Sequence, residues 1–342
     1  MIEKRPIDDR GWFDFVSSRD DATIFHHPAW ANLIAECYGY RPFVLAHLDD
    51  GGRINGGIPL IDVRSWLTGR RWISLPFSDV CAPLCSTPAI LESLTGHLQT
   101  LHAEGSIPRV EIRASIPNHP GVYPTGDYTL HTLTLQNDPD AVWKTFSRTR
   151  VKQPLKQVSK RGVTIRRAQE KRDIFTFYSM FVETRRRHGA PVQPRRFFDL
   201  FWDRIIEKEL GFLLLAYKGD TPVGGTVFGH FQGTLTAKYN ASAPQYWHLR
   251  TNNSLTWTAI KWGCEQGLSW FDFGRSDSGN RGLRKYKGGW GSVEEPLVYS
   301  VIAEREPKPS SGRLENLVKT VVQKSPTFVC RLLGEALYKH YA

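Results

Sequence analysis

The densest run of side chains able to do chemistry lies between Trp270 and Gly291. An apolar strand, Trp270-Phe271-Asp272-Phe273-Gly274, ends beside Arg275 and Ser276, and a basic, glycine-rich loop is expected to follow, from Gly282 through Arg284, Lys285, Tyr286 and Lys287 to Gly291. Glycine lets backbone amides approach an anion closely, and a lysine can stabilise a developing oxyanion. A carboxylate such as Asp272 at a strand end can orient a cation, accept a proton, or simply satisfy backbone amides; the residue types leave all three open. Other chemistries lack their motifs. There is no Gly-x-Ser-x-Gly elbow for a serine hydrolase, and Asp272-Phe273-Gly274 lacks an Asp-Phe-Gly kinase's other elements. No Walker loop occurs, and no Gly-x-Gly-x-x-Gly follows a strand. The cysteines (Cys37, Cys81, Cys85, Cys264, Cys330) are scattered. They read as reduced thiols, with no ligand spacing for a metal.

A second concentration is electrostatic. The 342-residue chain carries a formal net charge of +11. Lys144 to Arg196 holds 16 basic residues and three acids, a net +13, so the remainder is close to balanced at −2. Lys144, Arg148, Lys152, Lys156 and Lys160 recur every fourth residue. On a continuous helix that spacing makes a slowly turning positive stripe, although Pro154 is expected to kink or split it. Arg185-Arg186-Arg187 and Arg195-Arg196 add two clusters. A solvated face explains many charge runs, but this density points to a polyanion or a phosphorylated substrate. Zinc-finger, RNP and KH signatures are all missing, and no DNA partner is expected.

The elements that position these residues read as mixed α/β. A helix near Pro28–Tyr38 precedes strands at Phe43–Leu48, Arg53–Val63 and Trp72–Leu75. A helix at Ile90–Ala103 leads to strands at Arg109–Ala114 and Thr129–Leu135. Asp138-Pro139 caps a helix that opens the basic window. Strand Val163–Ala168, helices at about Arg172–His188 and Arg195–Glu209, and strands Phe212–Tyr217, Pro222–His230 and Thr234–Asn240 follow. A helix at Asn253–Gln266 leads to strands at Trp270–Gly274 and Leu297–Ala303. Glu304–Gly312 reads as a linker before two C-terminal helices. Two hairpins echo each other. Val44-Leu45-Ala46, a turn and Gly56-Gly57 in the next strand are matched by Leu214-Leu215-Ala216, a turn and Gly224-Gly225. Glycine inside a strand marks a bulge or a close approach, so two copies of one unit are expected.

Six stretches in order resemble the FemABX-like aminoacyltransferases. They are His27-Pro28-Ala29-Trp30, Ile58-Pro59-Leu60 with Ser74 through Asp79, Arg150 through Val163, Thr184 through Gly189, Lys238 through Ser242, and Phe271 through Gly291. The resemblance spans about residues 25–300. It implies two tandem GNAT-like (acyl-CoA N-acyltransferase-type) mixed α/β folds with a short C-terminal helical tail. The expected domains are 1–137, 138–305, and a linker with helices over 306–342. It also implies a transferase that forms an amide by moving an aminoacyl group from charged tRNA to an amine of a cell-envelope or peptide-type acceptor, peptidoglycan precursors above all. By position, Lys287 matches the family's catalytic lysine beside an aromatic residue, Tyr286. Arg187 matches a phosphate-contacting arginine and Tyr239 a channel-lining tyrosine. Asp79, Arg275 and Tyr286 join these as substrate-binding candidates, and Asp272 joins Lys287 as catalytic. Arg148, Lys152, Lys156, Lys160 and Arg186 are the polyanion-binding candidates. The N-terminal phosphate-binding lysine has no counterpart near Trp30, and no coiled-coil arm interrupts the second half.

No tightly bound cofactor and no metal is expected; aminoacyl-tRNA is the co-substrate, with acyl-CoA as the alternative donor. Trp247-His248-Leu249-Arg250-Thr251-Asn252-Asn253 lacks the glycine of a CoA pyrophosphate loop, which lowers the CoA reading. A non-catalytic polyanion-binding module is the third class. The chain start lacks an apolar signal core and no apolar run is long enough to span a bilayer, so a cytoplasmic location is expected. Apolar residues with interspersed Lys and Arg in the C-terminal helices suggest packing on the body. They also suit a peripheral contact with the inner membrane face, suited to a lipid-linked acceptor.

Overall fold

The computed structural model describes residues 1–66, 68–307 and 313–341, without the side chains of Ser159, residues 313–317 and Tyr341. The chain packs as two compact units. Unit 1 comprises Met1–Thr129, Pro296–Pro309 and Lys339–Ala342, and unit 2 comprises Leu130–Glu295 and Ser310–Tyr338.

Unit 1 contains β1 (Ile2–Pro6), α1 (Arg10–Ser17), α2 (Pro28–Tyr38), β2 (Arg41–Leu48), β3 (Ile54–Ser65), β4 (Gly69–Ile73), β5 (Leu84–Cys85), α3 (Pro88–Ala103), β6 (Arg109–Ile112) and the start of β7 (Val122–Thr134). Unit 2 continues with α4 (Pro139–Thr145), a π-helical turn (Arg148–Lys152), α5 (Gln153–Lys160), β8 (Val163–Arg167), α6 (Lys171–His188), α7 (Arg195–Phe201), a second π turn (Trp202–Ile206), β9 (Gly211–Lys218), β10 (Thr221–Phe231) and β11 (Thr234–Ser242). A 3₁₀ turn (Pro244–Leu249), α8 (Thr251–Glu265), β12 (Trp270–Asp277), α9 (Arg281–Gly288) and β13 (Val293–Ile302) come next, then α10 (Arg313–Lys324) and α11 (Thr327–Leu337). Residues 300–302 of β13, read above within the second domain, pair antiparallel with β6 and belong to unit 1.

The two units share one strand plan. In unit 1, β2–β3 and β3–β4 are antiparallel, and β4 runs through α3 to the parallel β6. In unit 2, β9–β10 and β10–β11 are antiparallel, and β11 runs through α8 to the parallel β12. The Gly-Gly echo follows from this plan. Successive strand residues face opposite sides of a sheet, so a glycine pair lets one helix press on each face. A Cβ on Gly57 would stand 2.7 Å from Trp12 of α1, while Gly56 faces Ile90 of α3. A Cβ on Gly225 would stand 3.0 Å from Phe177 of α6, and one on Gly224 would stand 3.0 Å from Thr251 of α8. Gly57→Ala should therefore overpack unit 1 and cost about 1–3 kcal/mol. A fall in its denaturant midpoint at unchanged slope would show this.

Each unit has its own apolar core. Phe43, Leu45, Ile58, Leu60, Leu94 and Ile112 build the first, and Phe212, Phe228, Leu255, Ile260, Phe271 and Trp290 the second. In unit 1 His27 is the N-cap of α2, its Nδ1 accepting the Ala29 amide at 3.1 Å. Burial pushes its pKa from 6.5 down to about 4. The folded state thus prefers the neutral ring, the form that can accept. Its stabilisation is full above pH 6.5 and is lost as the pH falls towards 4. His27→Asn, a cap that does not titrate there, should flatten that part of the stability–pH curve; an unchanged slope would refute the assignment.

Three sequence expectations need correction. β1 and α1 stand before Pro28, where no element is expected; α1 buries Trp12, Phe15 and Val16 at i, i+3 and i+4, a period that spans only two turns. The basic stripe breaks before Arg148 rather than at Pro154: Phe146 leaves helical geometry at ψ 143° and Ser147 caps a fresh turn, while the chain stays helical from Arg148 to Lys160, with Pro154 tolerated in the first turn of α5. Gly282–Gly288, read as loop, folds as most of α9 because the Asn280 side chain accepts the Leu283 amide at 3.1 Å. The expected cap at Asp138 is present, its side chain accepting the Asp140 amide at 2.9 Å.

Candidate active site in unit 2

The site grows from a partly paired strand couple. β11 and β12 are parallel neighbours, but their register covers only Thr234–Thr236 against Trp270–Asp272. Beyond it the far end of β11, with Asn240 and Ser242, reaches a cavity of about 390 Å³. The last turn of α6 supplies Thr184, Arg187 and His188; the 3₁₀ turn supplies Trp247; α9 supplies Tyr286. Arg250, Thr251, Asn252 and Asn253 complete the wall at the start of α8. None of these eleven lining residues is acidic, and two are arginines. A cavity so lined favours an anionic ligand.

Arg187 is fixed over the Trp247 ring at 4.6 Å, and a guanidinium nitrogen reaches the Ser242 carbonyl at 3.5 Å. Partial burial lowers its pKa, yet arginine remains charged at any working pH. Burial, then the charges of Arg187 and Arg185, lower the pKa of His188. A neutral imidazole able to accept a proton thus stands on the cavity wall. Asn240 donates to Thr226 Oγ1 at 2.7 Å and to Asn252 at 3.3 Å. Burial raises the pKa of Tyr286, so its hydroxyl, 3.3 Å from Thr256 Oγ1, keeps its proton.

The start of α8 alters one sequence argument. The expected phosphate-loop glycine is missing, but Arg250 takes the left-handed conformation itself, at φ 56° and ψ 37°. No side chain caps the helix. The first residues of this fifteen-residue helix line the cavity, and no side chain accepts from their amides, although the Asn253 amide donates to the Arg250 carbonyl at 3.1 Å; a helix start of this kind suits an anion. Gly224 permits this placement, since Thr251 packs where its Cβ would stand.

Lys287 and Asp272 take a different position from the one the motif suggests. Neither is among the cavity-lining residues. The Lys287 ammonium is buried and donates to the carbonyls of Gly274 at 2.6 Å and Arg275 at 3.0 Å. Asp272, also buried, accepts the Gly274 amide at 2.7 Å and so shapes the turn at Gly274, whose φ is 69°. Lys287 forms a buttress that ties α9, and with it Tyr286, to the second half of β12, while Asp272 holds the bend at Gly274. Arg275 is half-buried beside this buttress.

Tyr239 is likewise absent from the wall. It lies in an aromatic cluster with Phe181, Phe197 and Phe198 at centroid distances of 5.5–5.7 Å. Its neighbour Asn240 lines the cavity instead, as strand alternation requires. Asp79 belongs to unit 1, where its carbonyl accepts the Tyr299 hydroxyl at 2.6 Å. Of the polyanion candidates, Arg148, Lys156 and Lys160 are exposed. Lys152 donates to the Lys144 carbonyl at 3.1 Å, and the Arg186 guanidinium is engaged by Glu183 at 2.8 Å. Trp247, His188, Asn240 and the α8 start were missed. Single polar residues carry no spacing signal, and their convergence is a tertiary event. Among the described residues no group of three or more His, Cys, Asp or Glu could hold a metal ion.

Residues 146–288 match the acetyltransferase (GNAT) domain family model. No curated protein matches the chain. Among solved structures the chain is similar to FemX, with TM-score 0.70, 15% identity, and coverage of 93% of this chain and 100% of that one. It is also similar to the C-terminal domain of a putative lysylphosphatidylglycerol synthetase from Agrobacterium fabrum, with TM-score 0.55, 15% identity, and coverage of 91% and 95%. A third similar structure is a tandem GNAT protein from the clavulanic acid biosynthesis pathway, with TM-score 0.51, 12% identity, and coverage of 91% and 100%. The family match gives unit 2 a GNAT acyltransferase domain, and the shared strand plan with the likeness to FemX and to a tandem GNAT protein gives the chain a two-unit GNAT-like fold.

Proposed function

We propose that the unit 2 cavity binds the phosphate-bearing carrier of an activated acyl group and directs that group to an acceptor amine. The carrier is charged tRNA, and the acceptor is a cell-envelope or peptide-type amine. The single observation that carries the reading is the acid-free wall that Arg187, Arg250 and the start of α8 share with Tyr286. An aminoacyl ester is already activated. The amine nitrogen attacks the ester carbonyl, the C–N bond forms, the ester C–O bond breaks, and the ribose hydroxyl leaves with a proton. What remains for the protein is orientation and stabilisation of the oxyanion. The protonated Tyr286 hydroxyl is the donor in the wall suited to that oxygen, and Lys287 and Asp272 hold it in place through α9. The exposed Arg148, Lys156 and Lys160 contribute phosphate-backbone contacts, so tRNA affinity should fall steeply with salt.

The α8 start supports a second reading, an acyl-CoA donor, because Arg250 supplies the backbone conformation that the absent glycine would have given. A donor comparison separates the two. The purified protein, with a broad set of amines, is supplied with either charged tRNAs or acyl-CoAs. Amide formed only with charged tRNA supports the first reading, and amide formed only with acyl-CoA replaces it with the second. No amide from either donor overturns both.

A further inference from the structure

The C-terminal helices carry a feature that acyl transfer leaves unused. Residues 328, 331, 332 and 335 of α11 fall on one helical face at i, i+3, i+4 and i+7 spacing, and all four are exposed. Phe328 and Leu332 are each 63% exposed, while Cys330 and Gly334 on the opposite face are buried. Val321 near the end of α10 is a third exposed apolar side chain. In residues 318–338 the charges are Lys319, Lys324 and Arg331, all exposed, against Glu335, whose carboxylate accepts the Arg195 amide at 2.9 Å. This part of the chain is firmly seated: both helices pack on α6, and Gln323 donates to the Arg187 carbonyl at 3.1 Å. The apolar tips are therefore held out on a fixed support rather than left on a loose tail. Leu314 and Leu317, expected from the sequence to join the apolar face, have side chains outside the described residues.

We infer that the Phe328–Leu332 face of α11, flanked by Lys324 and Arg331, docks on an anionic phospholipid surface. Large apolar side chains that project beside cations suit a headgroup boundary: the tips enter the acyl region while the basic side chains meet lipid phosphates. A short helix with two such residues gives weak, reversible binding, which cationic attraction to anionic lipid reinforces. Because Gln323 joins α10 to the residue that lines the cavity, docking would hold the cavity beside the bilayer and favour an acceptor carried by a lipid. That catalytic consequence rests on the acyltransferase reading; the docking itself does not.

The test is co-sedimentation of the full chain, without any donor or acceptor, on vesicles of phosphatidylcholine alone and of phosphatidylcholine with phosphatidylglycerol. Binding is expected on the mixed vesicles and should weaken with added salt. Phe328→Ser combined with Leu332→Ser should reduce it about tenfold or more, and Lys324→Glu combined with Arg331→Glu should erase the preference for anionic lipid. All four side chains are exposed, so thermal unfolding of both variants should match the parent; if it does not, single Leu332→Ser and Arg331→Gln variants repeat the comparison. Failure of the parent chain to bind mixed vesicles at low salt, or equal binding by the serine variant, would overturn the inference. Either result leaves the donor comparison unaffected.

Discussion

Lys287→Met should lower amide formation at least about a hundredfold and also destabilise unit 2 by about 3 kcal/mol. The ammonium is buried and bonded to the carbonyls of Gly274 and Arg275 in the second half of β12. Removing it leaves both carbonyls without that donor and opens the contact between β12 and α9. Tyr286 is the preceding residue on α9, so its hydroxyl would no longer be held to the tolerance that an oxyanion donor requires. The two losses should appear together, in kcat and in the unfolding midpoint. Loss of activity with an unchanged midpoint would instead place the ammonium at the reacting atoms. Retention of both would remove the buttress from the argument. Lys287→Arg does not rescue well, because a planar guanidinium cannot fit the space of a compact ammonium between two carbonyls about 3 Å from one nitrogen.

Arg187→Ala has the opposite signature: a large effect on donor binding with little effect on stability. The guanidinium is half-buried, lies 4.6 Å over the Trp247 ring, and makes a long 3.5 Å contact with the Ser242 carbonyl, so folding depends on it weakly. Its charge, however, faces a cavity without acids. A charge-assisted contact to phosphate contributes about 1.5–3 kcal/mol, so the donor's KM or Kd should rise about ten- to a hundredfold. Steady-state kinetics at varied donor concentration would read this directly. If kcat alone falls, Arg187 acts on the reaction rather than on the carrier. Unchanged kinetics would refute the anion-binding role of the wall. Arg186→Ala is the matched control. Its guanidinium is held by Glu183 and does not line the cavity, so it should leave donor affinity nearly unchanged.

The fold was legible because its signals are local or periodic. Pro28–Tyr38 as a helix and Asp138 with Pro139 as a cap follow from the nearest neighbours in sequence, and they stand where expected. The paired Gly-Gly hairpins are also readable, since glycine at that position reports a helix pressing on each side of the sheet. Where the signal was weak the reading failed. α9 was hidden by its glycines, which disfavour helix, and only the Asn280 cap and the buried Lys287 and Trp290 outweigh them. The basic stripe was overdrawn because i+4 spacing describes a continuous helix, and Phe146 interrupts it.

The sequence alone determined the two-unit GNAT-like architecture and the concentration of positive charge in one window, and the family resemblance singled out Arg187, which lines the cavity. Each of these resides in composition, period or ordered motifs, which survive without coordinates. Only the tertiary structure decided which side chains share the cavity. It set Asn240 rather than Tyr239 on the wall through the alternation of a strand, and placed the Lys287 ammonium off that wall, on the carbonyls of Gly274 and Arg275. It also gave Arg250 the backbone role of a missing glycine. The physical reason is the same in each case. A residue's direction and its partners depend on which distant elements close around it. In this chain the cavity walls come from α6, the end of β11, the start of α8 and α9, elements that span about a hundred residues of sequence.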